Sequence, residues 1–219
     1  ERPEAFWIAL WDFSGVIAET RGDRVLIDGH LMPGARRFPD ARLNFAENLL
    51  RRRDGSPAVI FRSESGLRRE LSHRDLYDLT SRIAAALIAA GGEPGDRIAG
   101  FLPNTPEAIA AMLAAASIGA TWSSCSPDFG IQGVLDRFGQ IEPRILFAAD
   151  RYFYNGKDID CRGRVDDIVA QLPSVEQVVL LPYDPDMPLS AEGGMAGLDD
   201  FIAGYPAGDI AFRQLPFDH

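Results

Sequence analysis

A short run of aromatic and cationic residues carries the main chemical signal in this 219-residue sequence. Residues 150–157 read Asp-Arg-Tyr-Phe-Tyr-Asn-Gly-Lys and directly follow a predicted strand. Aromatic faces beside a cation could hold an adenine ring and a phosphate group. The alternative is an ordered surface loop whose aromatic side chains cover the sheet. On spacing alone the alternative is favoured.

Nucleophilic and metal chemistry have little support in the sequence. Cys125 lies just past a predicted strand end, but the three histidines are far apart and there is no GxSxG motif, so a catalytic cysteine is not expected. Three acidic pairs lack the glycine and distal glutamate of a calcium loop. These pairs are Asp158 and Asp160, Asp166 and Asp167, and Asp184 and Asp186. We predict turns and a solvated helix face there, and no metal site.

The sequence also lacks the loops that bind nucleotide phosphates. It contains neither GxxxxGK[ST] nor GxGxxG, whose backbone N–H groups would surround a triphosphate. The glycine-rich stretch 193–197 carries no lysine or hydroxyl, and we predict a flexible linker. By itself the chain is therefore not expected to hydrolyse ATP or transfer a group from it.

The charge balance excludes other partners. Lysine plus arginine number 22 against 32 aspartates and glutamates, for a formal net charge of −10. Nucleic acid and anionic membrane surfaces attract basic proteins, so neither is an expected partner. Two cysteines without a CxxC motif indicate a reducing cytoplasm.

The N-terminal part has helical and hairpin signals. An amphipathic helix is predicted over 3–18, and it needs a surface on which to dock. Arginines 51–53 follow a short helix, which favours interaction with its dipole over a phosphate-binding patch. A hairpin is predicted over 58–71. Ser72 and Asp75 resemble a capping box that begins the next helix.

From residue 97 onward, strands alternate regularly with helices. Predicted strands occupy 97–102, 120–124, 144–149 and 175–181. This alternation predicts a parallel sheet with right-handed crossovers. Ligands of such sheets bind beyond the carboxyl ends of the strands, which here are the loops at 103–104, 125–130, 150–164 and 182–183.

An ordered series of stretches resembles the acyl-CoA synthetases of the adenylate-forming superfamily. The stretches shared with the family at large are LNFAENLL (43–50), LSHRDL (71–76), GDRI (95–98), LPNTPE (102–107) and SIGA (117–120). Similarity to the branch that activates acetoacetate is carried by FW (6–7), WDF (11–13), WSSCSPDFG (122–130) and FYNGK (153–157). The resemblance spans essentially the whole chain.

This resemblance implies the fold and the reaction. The fold is α/β, a parallel sheet with crossover helices that forms an incomplete N-terminal subdomain of the adenylate-forming fold. A helical extension (1–57) and a β-hairpin precede the sheet, and the subdomain (58–219) stops before the ATP-binding loop. The parent would be an AMP-forming acetoacetate:CoA ligase, an acid–thiol ligase that uses ATP with Mg and CoA. The isolated chain, lacking catalytic residues, is expected to be inactive and to bind at most CoA, weakly.

The resemblance also implies binding residues. The family has two arginines, three residues apart, near the 3′-phosphate of CoA, and the matching positions hold Tyr154 and Lys157. A turn near pantetheine corresponds to the loop with Asp128, Phe129 and Gly130. The expected partners are acetoacetate and the C-terminal remainder of the protein, with self-association through exposed apolar surface. Two alternatives stay open: a ligase for another short acyl group, and a stand-alone CoA-binding or partner-completed module.

Overall fold

The N-terminal part combines helices with very short strands. The computed structural model describes residues 3–187, 189 and 194–216. The elements here are α1 (Pro3–Ser14), β1 (Leu26–Ile27), β2 (Arg36–Arg37), β3 (Arg42–Leu43) and α2 (Phe45–Leu49). Helix α1 is shorter than the predicted 3–18, because Gly15 takes a positive φ of 57° and turns the chain away. None of its residues is fully buried.

Arginines 51–53 make contacts other than the predicted dipole interaction. Arg51 donates to the carbonyls of Ser14 (2.8 Å) and Gly15 (3.1 Å), at the end of α1. Arg52 bonds Asp54. The guanidinium carbon of Arg53 lies 3.8 Å from the ring centroid of Tyr77. Each side chain thus has a specific partner outside α2, and the interaction with the dipole of α2 stays a prediction.

The predicted hairpin and capping box are confirmed. Strands β4 (Pro57–Arg62) and β5 (Arg68–Ser72) pair antiparallel and lead into α3 (His73–Ala89). The Ser72 side chain accepts from the Asp75 amide, and the Asp75 carboxylate accepts from the Ser72 amide. These reciprocal bonds satisfy two amides that a helix start leaves unpaired.

The predicted alternation is confirmed and extended. The remaining elements are β6 (Arg97–Phe101), α4 (Pro106–Ser117), β7 (Thr121–Cys125), α5 (Ile131–Ile141), β8 (Ile145–Ala149), β9 (Arg151–Tyr154), β10 (Lys157–Asp160), α6 (Arg162–Val169), β11 (Gln177–Leu181), β12 (Ala196–Gly197), α7 (Leu198–Ile202) and β13 (Leu215–Pro216). Five strands form one parallel sheet in the order β12-β11-β8-β6-β7. The linker prediction for 193–197 is wrong at Ala196–Gly197, which pair with β11 as an edge strand. Residue 193 lies outside the described residues.

Helices cover both faces of the sheet. Side chains of α3, α4 and α7 pack with Ile98, Phe147 and Val179 on one face. Side chains of α5 and α6 pack with Phe101, Leu146 and Leu180 on the other. Because strands buried on both faces need apolar residues at every position, β8 is a continuous apolar run. None of the described helices is long and apolar enough to cross a membrane.

Candidate functional site

A cleft lies at the carboxyl edge of the sheet, where ligands are expected. It holds about 440 Å³ between the ends of β6 and β7 and the strand β9. Its lining comprises Leu102, Pro103, Asn104, Ser124, Cys125, Ser126, Pro127, Asp128, Tyr152, Phe153 and Tyr154. A smaller, mainly apolar pocket of about 210 Å³ adjoins it and shares Leu102, Pro103, Asn104 and Ser124.

The aromatic run forms one wall of the cleft as a strand, not as a loop. Strands β9 and β10 make a hairpin in which Tyr154 pairs with Lys157. The turn between them is Asn155-Gly156, with positive φ values of 49° and 74°. Asn-Gly is the preferred pair for such two-residue turns, and this signal was available in the sequence. Tyr152 is buried in the core, whereas Tyr154 is 58% exposed.

Ion pairs and hydrogen bonds anchor the hairpin at both ends. Asp150 is only 4% exposed; its carboxylate accepts from the Tyr183 amide (2.8 Å) and from Nε of Arg151 (3.2 Å). Arg151 also donates to Asp158 at 3.1 Å. At the tip, the Gly156 amide donates to Glu64 in the β4–β5 hairpin at 3.3 Å. The cation of Arg151 is therefore occupied by two carboxylates.

Two arginines position the loop 126–130 on the opposite wall. Arg164 of α6 donates to the carbonyl oxygen of Pro127. The guanidinium carbon of Arg137 lies 4.3 Å from the ring centroid of Phe129. Gly130 is the N-cap of α5, and its carbonyl accepts from the Val134 amide.

The structure brings together some of the predicted site residues. Tyr154 and Asp128 both line the cleft. Lys157 stands across the hairpin from Tyr154, exposed, and outside the lining. Phe129 and Gly130 lie at the far end of the loop, also outside it. Among the described residues Lys157 forms no ion pair, so its charge is available to solvent or to a ligand.

The sequence places Asn104 in one of the expected ligand-binding loops but does not single it out as a site residue. Its side chain is exposed, lines both the cleft and the adjoining pocket, and makes no hydrogen bond to the described residues. Its signal is its position three residues after the end of β6, at the carboxyl edge of the sheet.

The cleft is suited to binding rather than to bond breaking. Burial raises the pKa of the Cys125 thiol to about 11, which suppresses the reactive thiolate at neutral pH. Among the described residues no cluster of histidine, cysteine, aspartate and glutamate could hold a metal ion. What the lining offers is aromatic surface, an exposed amide, two serine hydroxyls and the Asp128 carboxylate. Such groups can pack a ring and hydrogen-bond a flexible polar chain.

Comparison with known proteins identifies relatives of the whole chain. A family model described as AMP-binding enzyme matches residues 45–203. The acetoacetyl-coenzyme A synthetase of Rhizobium meliloti (strain 1021) is 50% identical over 98% of this chain, and the acetoacetyl-CoA synthetase of Rattus norvegicus is 39% identical over 98%. The solved structure of the acetoacetyl-CoA synthetase from Streptomyces lividans is 38% identical and has a TM-score of 0.89 over 99% of this chain. The chain spans 33% of the length of each of these proteins.

Proposed function

The chain belongs to the AMP-binding enzyme family, and from this premise we propose that it is the N-terminal segment of an AMP-forming acetoacetate:CoA ligase. The observation that carries the proposal is the 50% identity to an acetoacetyl-coenzyme A synthetase over 98% of the chain. The TM-score of 0.89 with a second such enzyme supports it, because the same fold extends over the whole segment.

The proposed reaction has two steps. The carboxylate of acetoacetate attacks the α-phosphorus of ATP, which forms acetoacetyl-adenylate and releases pyrophosphate. The thiol of CoA then loses its proton and attacks the acyl carbon, and AMP leaves as the thioester forms. The 219 residues contain no phosphate-binding loop, so we assign ATP and Mg to the remainder of the protein and no catalytic residue to this segment.

We assign this segment a part of the CoA site. The chemistry of the cleft fits a pantetheine chain, whose amide N–H groups can donate to Asp128 and whose carbonyls can accept from Asn104 and Ser126. A phosphate next to the Asp128 carboxylate would be repelled, so the 3′-phosphate belongs on the Lys157 side of the hairpin. Phe129 and Gly130 would shape the loop rather than contact the ligand.

The organisation of the segment remains part of the proposal. We propose a helical extension over 1–57 and an α/β subdomain over 58–219, completed by the remainder of the same protein. Acetoacetate would enter from the cytoplasm.

The ligase proposal is tested on the polypeptide encoded by the complete reading frame. Formation of acyl-CoA and AMP is measured with acetoacetate, acetate, butyrate and 3-hydroxybutyrate. We expect kcat/KM to be at least tenfold higher for acetoacetate than for the other acids. A preference for another acid would favour the alternative, a ligase for a different short acyl group. The 219-residue chain alone should show no acetoacetate-dependent ATP–pyrophosphate exchange; exchange above background would contradict its assignment as catalytically silent.

The CoA assignment has its own test. Binding of CoA and of 3′-dephospho-CoA is measured by calorimetry for the chain, for Lys157→Gln and for Arg74→Gln, an exposed cation on α3 that serves as the control. If Lys157 contacts the 3′-phosphate, Lys157→Gln weakens CoA about tenfold and leaves dephospho-CoA unchanged. Equal loss for both ligands, or equal loss in the control, would remove Lys157 from the site. CoA binding without any ligase activity in the complete polypeptide would favour the stand-alone module.

A further inference from the structure

A second cavity lies where the N-terminal part of the chain meets residues 215–216. This groove of about 330 Å³ is lined by Trp11, Arg37, Phe38, Ala41, Leu43, Phe45, Leu215 and Pro216. Strand β13 forms part of its wall by pairing Leu215 with Leu43 of β3. The rings of Trp11 and Phe38 touch, with centroids 4.6 Å apart. The groove is therefore a built feature, assembled from three separate segments.

Arg37 is the one charged residue in this apolar lining. Its guanidinium carbon lies 4.5 Å from the ring centroid of Trp7, and its Nε is buried without a hydrogen-bond partner. Within the described part of the chain Arg37 forms no ion pair. Because Nε is buried, a carboxylate in the groove would accept from the terminal guanidinium nitrogens of Arg37, in a charge-assisted hydrogen bond.

Two carboxylates of the N-terminal part are already engaged by other arginines. Asp40 accepts a bidentate pair of bonds from Arg24. Glu19 accepts from Nε of Arg42 at 2.9 Å. Neither of them lines the groove. No ion pair among the described residues includes Arg37, and the groove combines apolar walls with a single cation.

We propose that this groove binds a small monocarboxylate that carries an apolar chain or ring. The carboxylate accepts from Arg37, and the apolar part lies against Trp11 and Phe45. The volume is at the lower end of the range for small-molecule sites, which suits one such molecule. Acetoacetate, with a second polar group on a short chain, fits this lining poorly, so the site is separate from the proposed ligase reaction and does not depend on it.

The first test compares a carboxylate with its neutral counterpart. Tryptophan emission of the chain is titrated with 3-phenylpropionate, 3-phenylpropanol, octanoate and acetoacetate. We expect both apolar carboxylates to bind at least tenfold more tightly than the alcohol and than acetoacetate, because a charged hydrogen bond is lost in the alcohol and apolar contact in acetoacetate. The emission change should be reduced in Trp11→Phe, and the remainder should come from Trp7, which lies against Arg37. Equal affinity for 3-phenylpropionate and 3-phenylpropanol, or no binding of either, would overturn the proposal. This result needs no variant of the protein.

The second test identifies Arg37. Arg37→Gln should weaken 3-phenylpropionate at least tenfold and leave 3-phenylpropanol unchanged, whereas Arg36→Gln, its exposed neighbour on β2, should change neither. The complete polypeptide is titrated in parallel. Loss in both variants, or binding by the 219-residue chain but not by the complete polypeptide, would overturn the proposal. The second result would assign the groove to an internal contact of the longer protein. Neither result depends on ligase activity.

Discussion

Asn44 joins three distant segments of the chain, and its replacement is the sharpest test of how the N-terminal part is held. The side chain is 1% exposed. Its oxygen caps α2 by accepting from the amides of Ala46 (2.9 Å) and Glu47 (3.3 Å). Its nitrogen donates to the carbonyls of Ala116 (2.9 Å), Ser117 (3.3 Å) and Arg213 (2.9 Å). One amide thus connects α2, the end of α4 and the segment before β13.

The size of the effect follows from these contacts. Loss of an N-cap costs about 1 kcal/mol. The carbonyls of Ala116 and Ser117 also accept from the backbone amides of Gly119 and Arg213, so for them the loss is partial. The partly buried carbonyl of Arg213 loses its Asn44 donor, at roughly 0.5–1.5 kcal/mol. With the partial losses at Ala116 and Ser117, Asn44→Ala should lower the free energy of unfolding by roughly 2–4 kcal/mol. For a chain of this length that corresponds to a fall in Tm of roughly 4–16 °C.

Asn44→Asp separates the cap from the donor bonds. Aspartate is as good an N-cap as asparagine, but it would place an oxygen against three carbonyls. We expect it to destabilise at least as much as Asn44→Ala at pH 7. Thermal and denaturant unfolding followed by circular dichroism measure both variants. Asn104→Asp, which adds the same charge at an exposed position, should lie within about 0.5 kcal/mol of wild type.

The pH dependence of Asn44→Asp provides the refutation. Burial among carbonyls raises the pKa of the introduced carboxyl in the folded state, because only its protonated form can donate. A group whose pKa is raised on folding stabilises the protein fully below its unfolded-state pKa, here near 4. That contribution is lost as the pH rises through its folded-state pKa. Its deficit relative to wild type should therefore shrink as pH falls from 7 to 5. An Asn44→Asp variant within 0.5 kcal/mol of wild type at pH 7 would show that the three donor bonds contribute little.

Three further predictions concern the hairpins and the cleft. Arg69 and Glu107 form a bidentate, largely buried ion pair that ties β5 to α4. Arg69→Met should lower the free energy of unfolding by roughly 2–4 kcal/mol. Adding Glu107→Leu should recover part of this loss, and additive losses in the double-mutant cycle would contradict the pairing. Gly156→Ala should cost about 1–2 kcal/mol in chemical denaturation because φ is 74°, whereas Gly163→Ala, helical with open space at Cβ, should be neutral or stabilising. Burial raises the pKa of Cys125 from 9.0 to about 11, so folding favours its protonated thiol. Its contribution to the free energy of unfolding is therefore full below pH 9 and is lost as the pH rises from 9 to 11. Its thiol should react with a disulfide reagent at pH 8 only after unfolding; rapid labelling of the native chain would refute its burial.

Elements that depend on residues close together in the chain were predictable from the sequence. Strand β8 is apolar at every position because both of its faces are covered, and the Ser72–Asp75 box begins α3 through bonds within four residues. Strand β12 escaped prediction because its two residues are strand only by virtue of pairing with β11. The β9–β10 turn is different, since its Asn-Gly signal is local and stands in the sequence.

The candidate site was predicted in position but only partly in composition. The topology placed the site at the carboxyl edge of the sheet, where Tyr154 and Asp128 do line the cleft. Phe129 and Lys157 are close in sequence to lining residues but lie outside the lining, because strand pleat and loop geometry decide which neighbour faces the cavity. The sequence spacing does not show which of these residues faces the cavity, because a residue distant in sequence sets the conformation of the loop: Arg164 donates to the carbonyl of Pro127.

The contrast between arginine and lysine gives a physical reason to look for ligand binding at the hairpin tip. Around the sheet, arginines act as cross-links: Arg144 donates to the carbonyls of Ala90 and Gly91, and Arg97 to that of Ile141. The planar guanidinium suits such fixed, multiple bonds, whereas an ammonium is a compact and mobile charge. The chain's one lysine, Lys157, has no ion-pair partner among the described residues and so contributes little to the fold. Its replacement should leave the free energy of unfolding unchanged. A loss of CoA affinity in that variant would therefore report contact with the ligand, whereas the same loss in an Arg164 variant would also reflect a displaced loop.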